Sequence, residues 1–82
     1  MMEHTIELAV LVNTHSRGQR HRSKRFKLSK IKAVQPVKLH PQAQHRHGIE
    51  ITLSDGYSYT VAWNDLLYLQ LRGVAAKNRK GP

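Results

Sequence analysis

Apolar and polar residues alternate most regularly between Gly48 and Trp63. Ile49, Ile51 and Leu53 alternate with Glu50 and Thr52 on one arm, and Tyr57, Tyr59, Val61 and Trp63 with Ser58, Thr60 and Ala62 on the other. Ser54-Asp55-Gly56 lies between them. Period-two alternation around such a tripeptide predicts a β-hairpin. Loop length then decides register. A two-residue loop, Asp55-Gly56, places the aliphatic residues on the face opposite Tyr57, Tyr59 and Trp63, giving an aromatic platform. A three-residue loop sets Leu53 against Tyr57, Ile51 against Tyr59 and Ile49 against Val61. The second register pools apolar surface on one side and gives Gly56 the left-handed conformation it tolerates best. It is the expected one, with Tyr57, Tyr59 and Val61 in the core and Trp63 half exposed at the end of the hairpin.

The same alternation marks Thr5 to Val12 as a strand, with Ile6, Leu8, Val10 and Val12 on one face. Residues 13–25 contain Gly18, no period and almost no apolar side chain, which predicts a mobile basic loop. Phe26 to Leu39 is apolar at Phe26, Leu28, Ile31, Ala33, Val34, Val37 and Leu39, and the phase slips between Leu28 and Ile31. A bulge near Ser29-Lys30 would restore the face. Pro36 forbids a helix interior and removes a ladder donor, so this segment reads as an edge strand or as two short strands. His40 to His47 is a polar loop. After Trp63, Asn64 or Asp65 can cap a short helix through Leu66, Leu67, Leu69, Leu71, Val74 and Ala75, with Gly73 as a cost or an early stop. Leu67, Leu69 and Leu71 also alternate as a strand would, and the two readings compete. Residues 77–82 have nothing to bury and read as a disordered tail. The expected fold is α+β or mostly β: one small domain over 1–76, with three to four antiparallel strands and a short C-terminal helix.

Charge changes this picture more than any other property. Fourteen Lys and Arg face five carboxylates, a formal net charge of +9 with six histidines counted neutral. Leu8 to Ile49 contains no carboxylate, so its cations cannot be neutralised locally and should attract a polyanion. Arginines donate paired hydrogen bonds to phosphate and lysines add point charge. Arg17, Arg20, Arg22, Lys24, Arg25, Lys27, Lys30 and Lys32 are therefore the candidate nucleic-acid-binding residues.

Other chemistry is poorly supported. The chain has no cysteine, which removes disulfides, thiolate metal sites and cysteine nucleophiles together and suits a cytoplasmic location. Glu3 and Glu7 precede the apolar run Leu8 to Val12, where a signal peptide carries positive charge, and no segment reaches membrane-spanning length. His40, His45 and His47 share a loop, but positive charge around them would repel a cation, so no metal or cofactor is expected. Protonation of these imidazoles toward acidic pH would strengthen polyanion binding. No Ser-His-Asp set, paired acids or glycine-rich phosphate loop can be singled out, and no enzyme is expected.

From His21 onward the chain resembles the C-terminal half of LytTR-type DNA-binding domains: His21-Arg22-Ser23 before a strand, Ile31 ten residues after the histidine, and the hairpin from Asp55-Gly56 to Val61. Lys24, Lys27 and Ala62-Trp63 depart from that pattern, so no functional residue is carried over. The residues themselves lead to a protein that binds nucleic acid, DNA or RNA, through phosphate contacts with little base selection. The alternative is a small regulator or inhibitor that docks its basic face on an acidic protein surface. A homodimer through Leu66, Leu67, Leu69 and Leu71 is a third reading.

Overall fold

A computed structural model describes residues 4–80, leaving aside the side chain of Lys80. Five strands form one antiparallel sheet, and a C-terminal helix packs on it. The strands are β1 (Thr5–Val12), β2 (Arg20–Lys27), β3 (Ile31–Lys38), β4 (His47–Leu53) and β5 (Ser58–Ala62). A single 3-10 turn, Leu28–Lys30, links β2 to β3, and α1 spans Asp65–Lys80. The spatial order is β2-β1-β5-β4-β3.

That order imposes a strong curl. β2 and β3 are the two edges, yet only Leu28–Lys30 separates them in the chain. Four Cα steps reach at most about 14 Å, whereas the outer strands of a flat five-stranded sheet lie about 19 Å apart. The sheet must therefore coil until its edges approach one another at this corner. Hydrogen bonds hold the corner's surroundings together. Leu28 N–H donates to the His4 carbonyl at 3.0 Å and Ser54 N–H to the Lys30 carbonyl at 2.8 Å. From the helix, the Asn78 side-chain amide donates to the Leu28 and Ile31 carbonyls at 2.8 and 2.7 Å.

The hairpin adopts the three-residue loop. Ile49 pairs with Val61 and Ile51 with Tyr59, Leu53 N–H donates to the Tyr57 carbonyl, and Gly56 has φ +94°. Tyr57 nevertheless does not join the core: beside the turn, with no strand beyond it, the residue is 66% exposed. The phase slip after Phe26 is absorbed by the 3-10 turn, and a register irregularity between Ile31 and Ala33 completes it. Phe26, Ile31 and Val34 all reach the concave face in this way. Pro36 sits on the edge strand β3, opposite Ile49.

The core lies between the concave face and α1. Val10, Phe26, Ile31, Ile49, Ile51, Leu53 and Val61 come from the sheet, Leu71 and Ala75 from the helix. Asn64 caps α1, its Oδ1 accepting the Leu67 N–H at 2.9 Å, and Asp65 in the first turn suits the positive end of the helix dipole. The strand alternative fails because the residues buried or half-buried against the sheet, Leu67, Leu71, Val74 and Ala75, follow helical spacing, while Leu69 is exposed. Burying a leucine such as Leu71 is worth about 1.5–3 kcal/mol, enough to carry the helix through Gly73. A second, smaller set of buried residues lies away from that core: Leu11, Leu39 and Ala43, around the polar loop that follows β3. A Cβ on Gly48 would stand 2.8 Å from the Val61 carbonyl oxygen and 3.1 Å from Leu39, so glycine allows the close packing there.

Three expectations are corrected. The sheet has five strands rather than three or four, because the basic segment expected as a mobile loop is largely strand. Only residues 13–19 lie outside β1 and β2, and all eight residues of β2 pair with β1. The helix is not short: it runs to Lys80, through part of the supposed tail, and Asn78 gives that part a reason to be ordered. Gly81 and Pro82 lie outside the described residues.

Candidate nucleic-acid interface

β2 reads Arg20-His-Arg-Ser-Lys-Arg-Phe-Lys27, with only Phe26 fully buried. Low strand propensity is overridden by its partner: β1 alternates cleanly and offers a complete antiparallel template. Pairing then sorts the cations. Arg20, Arg22 and Lys24 lie opposite Val12, Val10 and Leu8 and so project on the concave side, while Arg25 and Lys27, opposite Glu7 and Thr5, project on the other.

Of the eight candidates, Arg20 and Arg22 are exposed and flank the open, helix-free part of the concave face. Lys24 is half-buried, its Nζ 4.8 Å from the Tyr59 ring centroid and 5.8 Å from that of Phe26. These two rings meet edge to face at 5.4 Å, so the lysine covers the rim of the core as well as adding charge. Arg22 and Lys24 line a groove of about 340 Å³ with Val10, Val12 and Tyr59. Arg25 meets Glu7 at 3.6 Å, both side chains mostly exposed, an ion pair worth little to stability. Arg17 is exposed in the turn between β1 and β2. Lys30 and Lys32 stand at the corner and line a separate, smaller pocket of about 280 Å³ with Arg79. The structure thus joins Arg20, Arg22 and Lys24 on one surface and leaves Arg25, Lys27, Lys30 and Lys32 on others.

A site that the sequence did not disclose lies at the other end of β3. Pro36, Lys38, His45, Arg46, His47 and Trp63 line a cleft of about 640 Å³. Sheet register gathers them: Lys38 pairs with His47, and the Trp63 N–H donates to the His47 carbonyl. Trp63 is 37% exposed. Its ring is fixed by Tyr68, whose centroid lies 4.8 Å away at an interplanar angle of 32°, and by an indole Nε1 hydrogen bond of 2.6 Å to Asp65 Oδ1. Gln19 bridges from the β1–β2 turn to the facing wall, its Nε2 donating to the His45 carbonyl at 3.0 Å and its Oε1 accepting the His45 N–H at 3.2 Å. His21 of β2 meets His45 edge to face at 5.2 Å. An aromatic after a hairpin followed by a helix cap was the available signal, but the cations around it come from the end of β3 and from the loop after it, and no local pattern predicts where these lie relative to Trp63.

The leucines expected at a dimer interface separate. Leu71 is 1% exposed and Leu67 half-buried, both in the core, whereas Leu66 and Leu69 are exposed on the outer side of α1. Among the described residues no three histidine or carboxylate side chains gather as a metal site would require, and no helix is long and apolar enough to cross a membrane.

Comparison with protein-family models, with curated proteins and with solved structures finds no match for this chain.

Proposed function

We propose that this protein binds nucleic acid through its phosphate backbone, with Arg20, Arg22 and Lys24 as the main contacts and Arg17, exposed in the turn before β2, as a further cation. The observation that supports this reading is the exposure of a cation-rich edge strand beside an uncovered part of the sheet. Arg20 and Arg22 are exposed and side by side on one face. Phosphate contacts of this kind position a polyanion without reading bases, and neutralising each phosphate releases counterions. Arg25 and Lys27, on the opposite face, add to the long-range field more than to this contact. The proposal assigns the chain no catalytic step.

Binding to mixed duplex DNA, single-stranded DNA and RNA across a salt series tests it. Affinity should fall with salt in proportion to the number of phosphates neutralised. Replacing Arg20 and Arg22 by alanine should flatten the log–log slope by about 1 for each phosphate that is no longer neutralised. Absence of salt-dependent retention on all three polymers at low ionic strength would remove this reading and leave an acidic protein surface as the partner to seek.

A further inference from the structure

We infer that the Trp63 cleft takes an unpaired nucleobase of a single-stranded nucleic acid, its ring against Trp63 and its neighbouring phosphates on Lys38 and Arg46. The inference rests on the reading that the partner is a nucleic acid, and it adds which form of it the protein prefers. The cleft, about 640 Å³ in volume, is open to solvent along much of its length, so a planar base can be laid against the indole without being enclosed. Its described lining contains Lys38 and Arg46, with His45 and His47 beside them, and no carboxylate. The nearby Asp65 is turned to the indole N–H of Trp63.

Preorganisation distinguishes this tryptophan from an ordinary exposed ring. Tyr68 and Asp65 hold it in place, so little side-chain freedom remains to be lost when a base stacks on it. The opposing wall is equally constrained, since Gln19 clamps His45 and the Arg46 carbonyl accepts the Leu39 N–H at 2.8 Å. Single-strand binders combine these two components, an aromatic platform and cations that follow the backbone. A base within a duplex has both faces stacked and cannot reach the ring. His45 also meets the ring of His21, which pairs with Leu11 and so projects on the face of β2 opposite Arg20 and Arg22; the loop wall of the cleft is thereby anchored to β2.

Trp63 is the only tryptophan in the chain, so its fluorescence reports on this cleft alone. The full chain is titrated with oligothymidylate, oligouridylate, an abasic oligodeoxynucleotide of equal length and duplex DNA, with binding followed independently by anisotropy of the labelled nucleic acid. The expected result is saturable quenching by oligothymidylate or oligouridylate, with the abasic strand bound more weakly and without quenching. Trp63→Leu should weaken oligothymidylate binding by about 5- to 100-fold and leave the abasic strand unaffected. Because Trp63 also packs on Tyr68, a Lys38→Gln, Arg46→Gln variant provides a second measure: it keeps the reporter and should weaken binding while the melting temperature is unchanged. Binding of all four polymers with no change in Trp63 emission, or equal quenching by the abasic strand, would overturn the inference and leave the phosphate reading intact. Failure to bind any of them would remove both.

Discussion

β4 and β2 have nearly the same length and belong to one sheet, but they contribute to it in opposite ways. β4 has a neighbour on each side, and Ile49, Ile51 and Leu53 fill the centre of the core. β2 has one neighbour, buries Phe26 alone and carries five cations. The first strand is specified by its own alternation. The second is held by pairing with β1 and by a single aromatic anchor. A chain of this size can keep a strongly basic surface in a fixed geometry because the burial that holds it is supplied elsewhere.

Breaking the anchor should have the largest effect. Phe26→Ala removes the fully buried ring of β2 and its contact with Tyr59, and a loss of about 3–5 kcal/mol is expected in urea unfolding. A loss below about 1 kcal/mol would mean that β2 is held by something other than this ring. On the β4 side, Gly48→Ala forces a Cβ against the Val61 carbonyl oxygen, and overpacking of this kind costs about 1–3 kcal/mol. If Gly48→Ala unfolds at the same urea midpoint as the parent, the close approach of β4 and β5 is softer than the geometry implies.

The corner where the two edge strands meet lies between these cases. Asn78→Ala removes two hydrogen bonds to the Leu28 and Ile31 carbonyls and should cost about 1–2 kcal/mol, read as a lower melting temperature and faster amide exchange near Ile31. Unchanged exchange there would show that the helix end does not secure the corner. The smallest effect belongs to the Arg20→Ala, Arg22→Ala variant, whose stability should stay within about 0.5 kcal/mol of the parent while its salt-dependent binding falls. A large stability loss would instead make these arginines part of the scaffold.

The hairpin and its register were legible because they depend on neighbours in sequence, alternation and turn chemistry; the helix cap was narrowed to Asn64 or Asp65, and the missing N–H of Pro36 left an edge strand or two short strands, between which the fold chose Asn64 and the edge. The strand at Arg20–Lys27 was not, since only Phe26 among those eight residues favours β structure and their partner lies a turn away. The candidate cations were visible as composition, but their division between two faces follows from register with β1. Tyr57 shows the converse limit, because correct alternation placed it on the right face and lack of a covering element left it exposed.

The sequence by itself determined the charge available, the apolar faces and the places where the chain turns. Tertiary structure decided what those properties meet. The three-residue link between β2 and β3 is too short for a flat sheet, so the sheet curls, and the loop after β3 comes to rest against Gln19 and His21. The register of β3 with β4 brings Lys38 to Trp63, and the loop brings Arg46, residues separated from it by 25 and 17 positions. Local patterns cannot encode such a meeting, because it depends on which strands pair and in what register.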